Sequence, residues 1–425
     1  MNKSAFLFLL LASSALFAAP IDDFLGEVSS TFLGSGAESA IKLIDGKIAG
    51  GLSGDDAGRC LTLKAQYLIE LKQLDDGAKI LVDQVLPAKD VTAKTKLNAC
   101  MLMLDKIPIG YASGNNLIYL RKACEIVRKL PEFAKPGPDR GNMLYFVAKV
   151  NAKRNFCDIA YALCREAAEN FGSMTEEKAQ ALFAAAENAV RYRNTEDAMD
   201  ALKAIEKIPD IPLATAKKAK LRQGMALITP DQYDWQPKRE RVENARKLIE
   251  DALALHRHQQ LISAEDIFTA RTLLVTAEYK SGNPKGAADL GVQILAGPEA
   301  KKADGRARGN LAILVADIMA ETGDWRNAIK YYDQGKVNCD PGPKTINKRI
   351  AGVARQHKDY QRAMQAYADA ADLCDREEGK DEWNLMKRLA GIMSNAIRNK
   401  TSLSDSEDVF GNADDNINGL QLDDF

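Results

Sequence analysis

The sequence predicts an all-α fold, a solenoid of stacked helix-turn-helix hairpins. Three observations carry that expectation. A short signal, a turn followed by a polar cap and then an alanine-rich helix, returns seven times along the 425 residues. Between the signals apolar residues recur at three- and four-residue spacing, as at Leu182, Ala185, Ala186 and Ala189, and again at Ala312, Val315, Ala316 and Met319. Each repeat is too short to bury its apolar face alone, so it must stack on its neighbours.

Residues 1–19 read as a secretory signal peptide. Lys3 precedes an apolar run from Ala5 to Ala12, then Ser13-Ser14 and a second apolar stretch to Ala19. The run is too short to span a bilayer, and nothing later in the chain reaches about eighteen consecutive apolar residues. Cleavage after Ala18 or Ala19 and export to a bacterial periplasm or beyond are the expectations. Residues 20–56 hold seven glycines among a few apolar residues such as Phe24, Leu25, Phe32 and Leu33. They read as a flexible lead with one short helix, the first repeat starting near Asp56.

Residues 57–400 carry the repeats. The signals are Gln73-Leu74 with Gly77-Ala78, Arg154-Asn155-Phe156 with Ala160, Arg193-Asn194-Thr195 with Ala198, Tyr233-Asp234-Trp235, Gly282-Asn283-Pro284 with Ala287, Gly323-Asp324-Trp325 with Ala328, and Lys358-Asp359-Tyr360 with Ala363. Gly282 suits a left-handed helix end, Asn283 caps the next helix, and Pro284 fits its first position, where no N–H is needed. The caps expected are Asn155, Asn194, Asp234, Asn283, Asp324 and Asp359. Alanine four residues after a cap implies a close approach between helices. Tyr332, Tyr367 and Leu202, four residues further on, then fill the layer between repeats.

These residues resemble the tetratricopeptide repeat family. The match is fullest from Asn310 to Pro341, with the small pair Ala312 and Ala316, the Gly-Asp-aromatic turn, Ala328-Ile329, Tyr331-Tyr332 and a closing Pro. The 35 residues from Asp324 to Asp359 approach the family's period of about 34. Around 91–130 and 210–262 the match is weak, and longer helices or longer turns are expected there. The resemblance implies a right-handed solenoid of about eight hairpins whose first helices line a concave face. Carried over to the best-matched repeats, that face presents Thr269, Thr272, Thr276 and Tyr279, then Asn310, Ile313, Asp317 and Glu321, then Thr345, Lys348 and Arg355. Thr272, Thr276, Tyr279, Asn310, Asp317, Glu321, Lys348 and Arg355 are the candidate partner-binding residues, in a mixed polar groove suited to a protein or an extended peptide. The Lys and Asn clamp with which some members hold a C-terminal carboxylate is not assembled; Lys348 and Arg355 offer part of one.

With 58 Lys plus Arg against 59 Asp plus Glu, no global charge steers the chain to nucleic acid or anionic lipid. Residues 401–425 hold seven acids and no Lys or Arg, which reads as a disordered acidic tail and leaves the repeats mildly basic. Folding back of that tail over Lys344, Lys348, Arg349 and Arg355 is a further expectation. Asp414-Asp415-Asn416-Ile417-Asn418-Gly419 matches the first half of a calcium loop, but Phe425 stands where a bidentate carboxylate is needed. Seven cysteines in an exported chain invite a disulfide reading. Cys157 and Cys164 lie seven residues apart on one helix, about 10.5 Å along its axis, beyond the roughly 7 Å reach of a bridge. Cys124 with Cys157 or Cys164, and Cys60 with Cys100, remain open, as does the reading that most are small buried apolar residues.

No catalytic, cofactor-binding or metal-binding constellation emerges. His256 and His258 point to different sides of a helix, and His357 falls in a turn. Neither a His-Glu-x-x-His pattern nor a nucleophile elbow nor a phosphate-binding loop occurs. The expected role is an exported, non-enzymatic scaffold for protein–protein interaction, in cell-envelope assembly, with no cofactor. The alternative is an extracellular or periplasmic peptide- or glycan-binding protein, which a row of exposed aromatics would favour.

Overall fold

The computed structural model describes residues 20–106, 114–230, 236–254, 261–374 and 379–399. The signal-peptide stretch, the Asp234 turn, His256, His258 and the acidic tail lie outside the described residues. Among those described, every regular element is helical and there is no strand. The fold class is that of a helical-repeat solenoid.

The chain divides into two compact units, residues 1–192 with 207–210 and residues 193–206 with 211–425. In the first unit the helices are α1 (Pro20–Ser35), α2 (Ala37–Ala49), α3 (Gly54–Glu70), α4 (Leu74–Lys79, continued by a π-helical turn Ile80–Val85), α5 (Ala93–Lys106), α6 (Gly114–Val127), the single turn α7 (Pro131–Ala134), α8 (Pro138–Lys153), α9 (Cys157–Asn170) and α10 (Thr175–Arg191). The second unit holds α11 (Thr195–Glu206), α12 (Leu213–Ile228), α13 (Arg239–Leu253), α14 (Ala264–Lys280), α15 (Pro284–Ala296), the short α16 (Pro298–Lys302), α17 (Gly305–Glu321), α18 (Trp325–Gly335), α19 (Pro343–Gln356), α20 (Tyr360–Asp372) and α21 (Lys380–Asn399). In the weakly matched stretches the helices keep ordinary lengths, 14 residues in α5 and 16 in α12. The single turn α7 follows directly after the first of these stretches.

One turn recurs with nearly the same backbone. Lys72, Asn155, Arg193, Gly282, Gly323 and Lys358 take positive φ, from 61° to 86°. In five of the six turns the next amide donates to the carbonyl five residues back: Gln73 to Leu68, Phe156 to Asn151, Asn283 to Glu278, Asp324 to Met319 and Asp359 to Ala354, at 2.8–3.0 Å. This is the Schellman closure, which satisfies helix-end carbonyls that would otherwise be orphaned. Asn194, Asn283 and Asp359 each accept from the backbone amide of the third residue of the next helix, at 3.0–3.2 Å. Asp324 holds the Asn327 side chain instead. At one turn the expected register is off by one residue. Asn155, expected as a cap, itself occupies the left-handed position, and Phe156 stands in the cap place. Asn tolerates that conformation better than other non-Gly residues.

Four residues after each cap the chain carries Gly77, Ala160, Ala198, Ala287, Ala328 and Ala363, and all five alanines are fully buried. At Gly77 even a Cβ would come within 2.7 Å of the Ile69 side chain and 2.8 Å of the Ala65 carbonyl. Tyr332, Tyr367 and Leu202 are buried as well, as the interlayer role requires.

The region expected as a flexible lead is instead two packed helices. Ile21, Phe24, Leu25 and Val28 of α1 and Ala37, Ala40 and Ile44 of α2 close over Cys60 and Tyr67 of α3, with Phe32 stacked on the Tyr67 ring at 4.5 Å. The glycines misled because they punctuate the outer surface: a Cβ at Gly26, Gly34, Gly36 or Gly46 would meet nothing within 4 Å. At the other end α21 buries Met386, Leu389 and Met393 in the same core as Ile346, Ile350, Tyr367 and Ala370, and exposes Asp381, Asn384, Lys387, Arg388 and Asn395. Terminal elements with one apolar and one polar face are what a stacked array needs at its ends.

All seven cysteines are free, and Cys60, Cys100, Cys157, Cys164 and Cys374 are buried. Neither open pairing forms. Burial pushes the Cys60 and Cys124 thiols up to about 11 and Cys164 to about 12, so they behave as small apolar side chains.

Candidate functional site

In the second unit the first helices of successive hairpins, α12, α14, α17 and α19, with α21, carry the polar groups from which a ligand face would be built. Their turns fix where each side chain falls. The structure joins most of these groups to the next helix in the series. Asp266 of α14 takes Arg222 of α12 at 2.9 Å and Lys218 at 3.5 Å. The Tyr279 hydroxyl of α14 donates to Glu321 of α17 at 2.5 Å. Asp317 of α17 accepts from Arg349 of α19 at 2.7 Å and from the Tyr332 hydroxyl of α18. Glu382 of α21 accepts from Lys344 at 2.8 Å and from Lys348. The result is a ladder of polar ties, one rung per repeat.

Each rung has its own electrostatics. Burial raises the Asp317 carboxyl above its ordinary value although Arg349 and Tyr332 pull it back; the Asp317 and Arg349 side chains are only 12% and 14% exposed. Burial and the neighbouring Asp317 raise the Tyr332 phenol well above its ordinary range. Hydrogen bonds from Lys344 and Lys348 hold Glu382 down at about 2. Burial, the hydrogen bond to Glu321 and the charges of Glu321 and Asp317 all raise the Tyr279 phenol.

The candidate residues therefore divide. Tyr279, Asp317, Glu321 and Lys348 are brought into the ladder. Thr272 and Thr276 sit half-buried on α14, and Asn310 accepts from the Asp340 amide at 2.9 Å, tying α17 to the following turn. Arg355 is half-buried on α19. Ile313, expected on the open face, is fully buried in the core, because the packed stripe of α17 is wider than the repeat pattern implies. Lys344, Lys348 and Arg349, expected beneath the acidic tail, each have a carboxylate partner within the repeats.

The residue that sequence reasoning missed is Glu278. Its side chain is completely buried and receives Arg239 at 2.6 Å and Arg246 from α13, with the Asn283 amide at 2.8 Å. These donors hold its carboxyl below the ordinary range against the opposing effect of burial. The signal was a lone Glu inside the apolar stripe of α14, three and four residues after Val275 and Leu274.

In the first unit Arg59 of α3 pairs with Asp22 of α1, and two further ties run to backbone. Lys153 donates to the Leu104 carbonyl at 2.7 Å, and Arg191 to the Ala152 carbonyl at 3.1 Å. Cations here meet the negative ends of the preceding helices.

Among the described residues no group of three or more His, Cys, Asp or Glu is placed to hold a metal ion. No described helix is long and apolar enough to cross a membrane. His357 stacks on Trp325 at 5.1 Å.

No family model matches the sequence, and no curated protein matches it. Solved structures align with it over most of its length. The apo form of RapI aligns over 81% of this chain and 99% of its own, at 13% identity and a TM-score of 0.47. A Rap protein complexed with competence and sporulation factor covers 82% and 100%, at 15% identity and a TM-score of 0.41. The P58(IPK) TPR domain covers 89% and 99%, at 11% identity and a TM-score of 0.23.

Proposed function

We propose that this chain is an exported scaffold that holds an extended peptide or protein segment along the first-helix face of its repeats, in the service of cell-envelope assembly. The observation that carries the reading is the composition of that face in the second unit. It offers hydroxyl, amide, phenol and carboxylate groups of Thr272, Thr276, Tyr279, Asn310 and Glu321 on the first helices of two consecutive repeats, a spacing that suits a long ligand rather than a compact one. A glycan reading is weaker, because Tyr332 and Tyr367 are buried in the core. Export rests on the first nineteen residues.

Two measurements test the proposal. A photo-crosslinking residue at Thr276 or Thr345 in the full chain should trap a partner in the envelope fraction, and the same residue at Asn384, on the outer face of α21, should not. Equal capture from both positions overturns the groove. The mature chain should fractionate with the envelope and begin near residue 20; a cytosolic chain that keeps Met1 overturns export.

A further inference from the structure

We infer that Tyr279 and Glu321 form a subsite for a cationic side chain, Arg or Lys, on the bound segment. The inference rests on the groove reading above and gives that groove a chemical preference. The Tyr279 hydroxyl is fixed on Glu321 Oε2 at 2.5 Å, across the gap from α14 to α17. This holds an aromatic ring and a carboxylate side by side, the ring half-buried and the carboxylate exposed.

The charge at this rung is unbalanced. Glu278 has two arginines, Asp266 an arginine and a lysine, Glu382 two lysines and Asp317 the Arg349 guanidinium. Glu321 accepts from a neutral phenol, and among the described residues no Lys or Arg forms an ion pair with it. Asp317 lies one helical turn before Glu321 on α17, and both carboxylates act on the Tyr279 phenol. Arg349 offsets Asp317, so the uncompensated charge at this rung is that of the exposed Glu321.

A guanidinium or ammonium group satisfies both features at once. It can donate to the exposed carboxylate, a charge-assisted bond stronger than a neutral one, while resting against the electron-rich face of the ring. An acidic side chain at the same place would meet like charge.

The test uses the full chain and fluorescein-labelled eight-residue peptides of Ala, Ser and Thr with one central residue varied among Arg, Lys, Gln and Glu. Anisotropy titration at low salt should place the Arg and Lys peptides several-fold tighter than the Gln peptide, the scale of about 1 kcal/mol for an exposed charge pair resting on an aromatic ring, with the Glu peptide weakest. Added salt should narrow the gap. Glu321→Gln keeps an acceptor for the Tyr279 hydroxyl, so the fold is retained, and it should bring the Arg peptide to the affinity of the Gln peptide. Asp369→Asn, on α20 away from this rung, should leave the preference in place. Equal binding of the Arg and Gln peptides, or a preference that survives Glu321→Gln, overturns the subsite and leaves the groove standing. No binding by any of the four peptides overturns the groove and the subsite together.

Discussion

At the scale of the residue, small side chains set the spacing of the layers. Ala328 and Ala198 are fully buried, so a larger side chain there has no space to enter without moving a helix. Ala328→Leu and Ala198→Leu should each destabilise by about 1–3 kcal/mol, read as a drop in the denaturation midpoint; an unchanged midpoint would place the tight contacts elsewhere. Glu382 gives a pH effect of definite sign. Its folded-state value of about 2 lies below the ordinary 4.5, so the stabilisation from Lys344 and Lys348 is complete above about pH 4.5 and disappears as pH falls toward 2. The melting temperatures of the wild type and Glu382→Gln should therefore differ at pH 6 and converge as pH falls from 4.5 to 2. A difference that stays constant over that range would show that the pair contributes nothing through charge.

Among the elements, α13 depends on the carboxylate that it covers. Glu278 is the shared acceptor for Arg239 and Arg246, and its side chain has no exposed surface. Removing one arginine leaves the other in place; removing both strands a buried charge, which costs about 3–5 kcal/mol. Arg239→Met with Arg246→Met should thus destabilise by more than the sum of the single changes, and hydrogen exchange in α13 should accelerate first. Additive effects below about 0.5 kcal/mol would mean that the buried carboxylate finds other donors. The hairpins themselves were legible in the sequence because their turns are set by local chemistry: a left-handed residue, a capping side chain and a small residue four positions on. The ladder was much less so. Tyr279 and Glu321 are 42 residues apart, Asp317 and Arg349 32, and Lys348 and Glu382 34. Such pairs appear only when repeats are laid over one another and residues of complementary charge are sought about one period away. The α1–α2 pair was misread for another reason: glycine content reads as flexibility, while Phe24, Val28, Phe32 and Ile44 carry the packing on the opposite side.

For the whole molecule, stability in a stacked array is a sum of repeat terms and interface terms, so its ends are the natural points of failure. In the second unit α21 is the closing element, and its Met386, Leu389 and Met393 are among the buried residues of the large core. Lys344 and Lys348 of α19 also lose their partner if Glu382 is removed. Truncation after residue 379 therefore strips both apolar cover and charge compensation from the last hairpin, while α14 and α15 keep their own neighbours. Hydrogen exchange should show α19 and α20 losing protection in the truncated chain, with α14 and α15 changing little, and the thermal transition should broaden as the unit frays from that end. Uniform loss of protection across α12 to α20 would mean that the unit unfolds as one cooperative body, and the nearest-neighbour account would then fail for this protein.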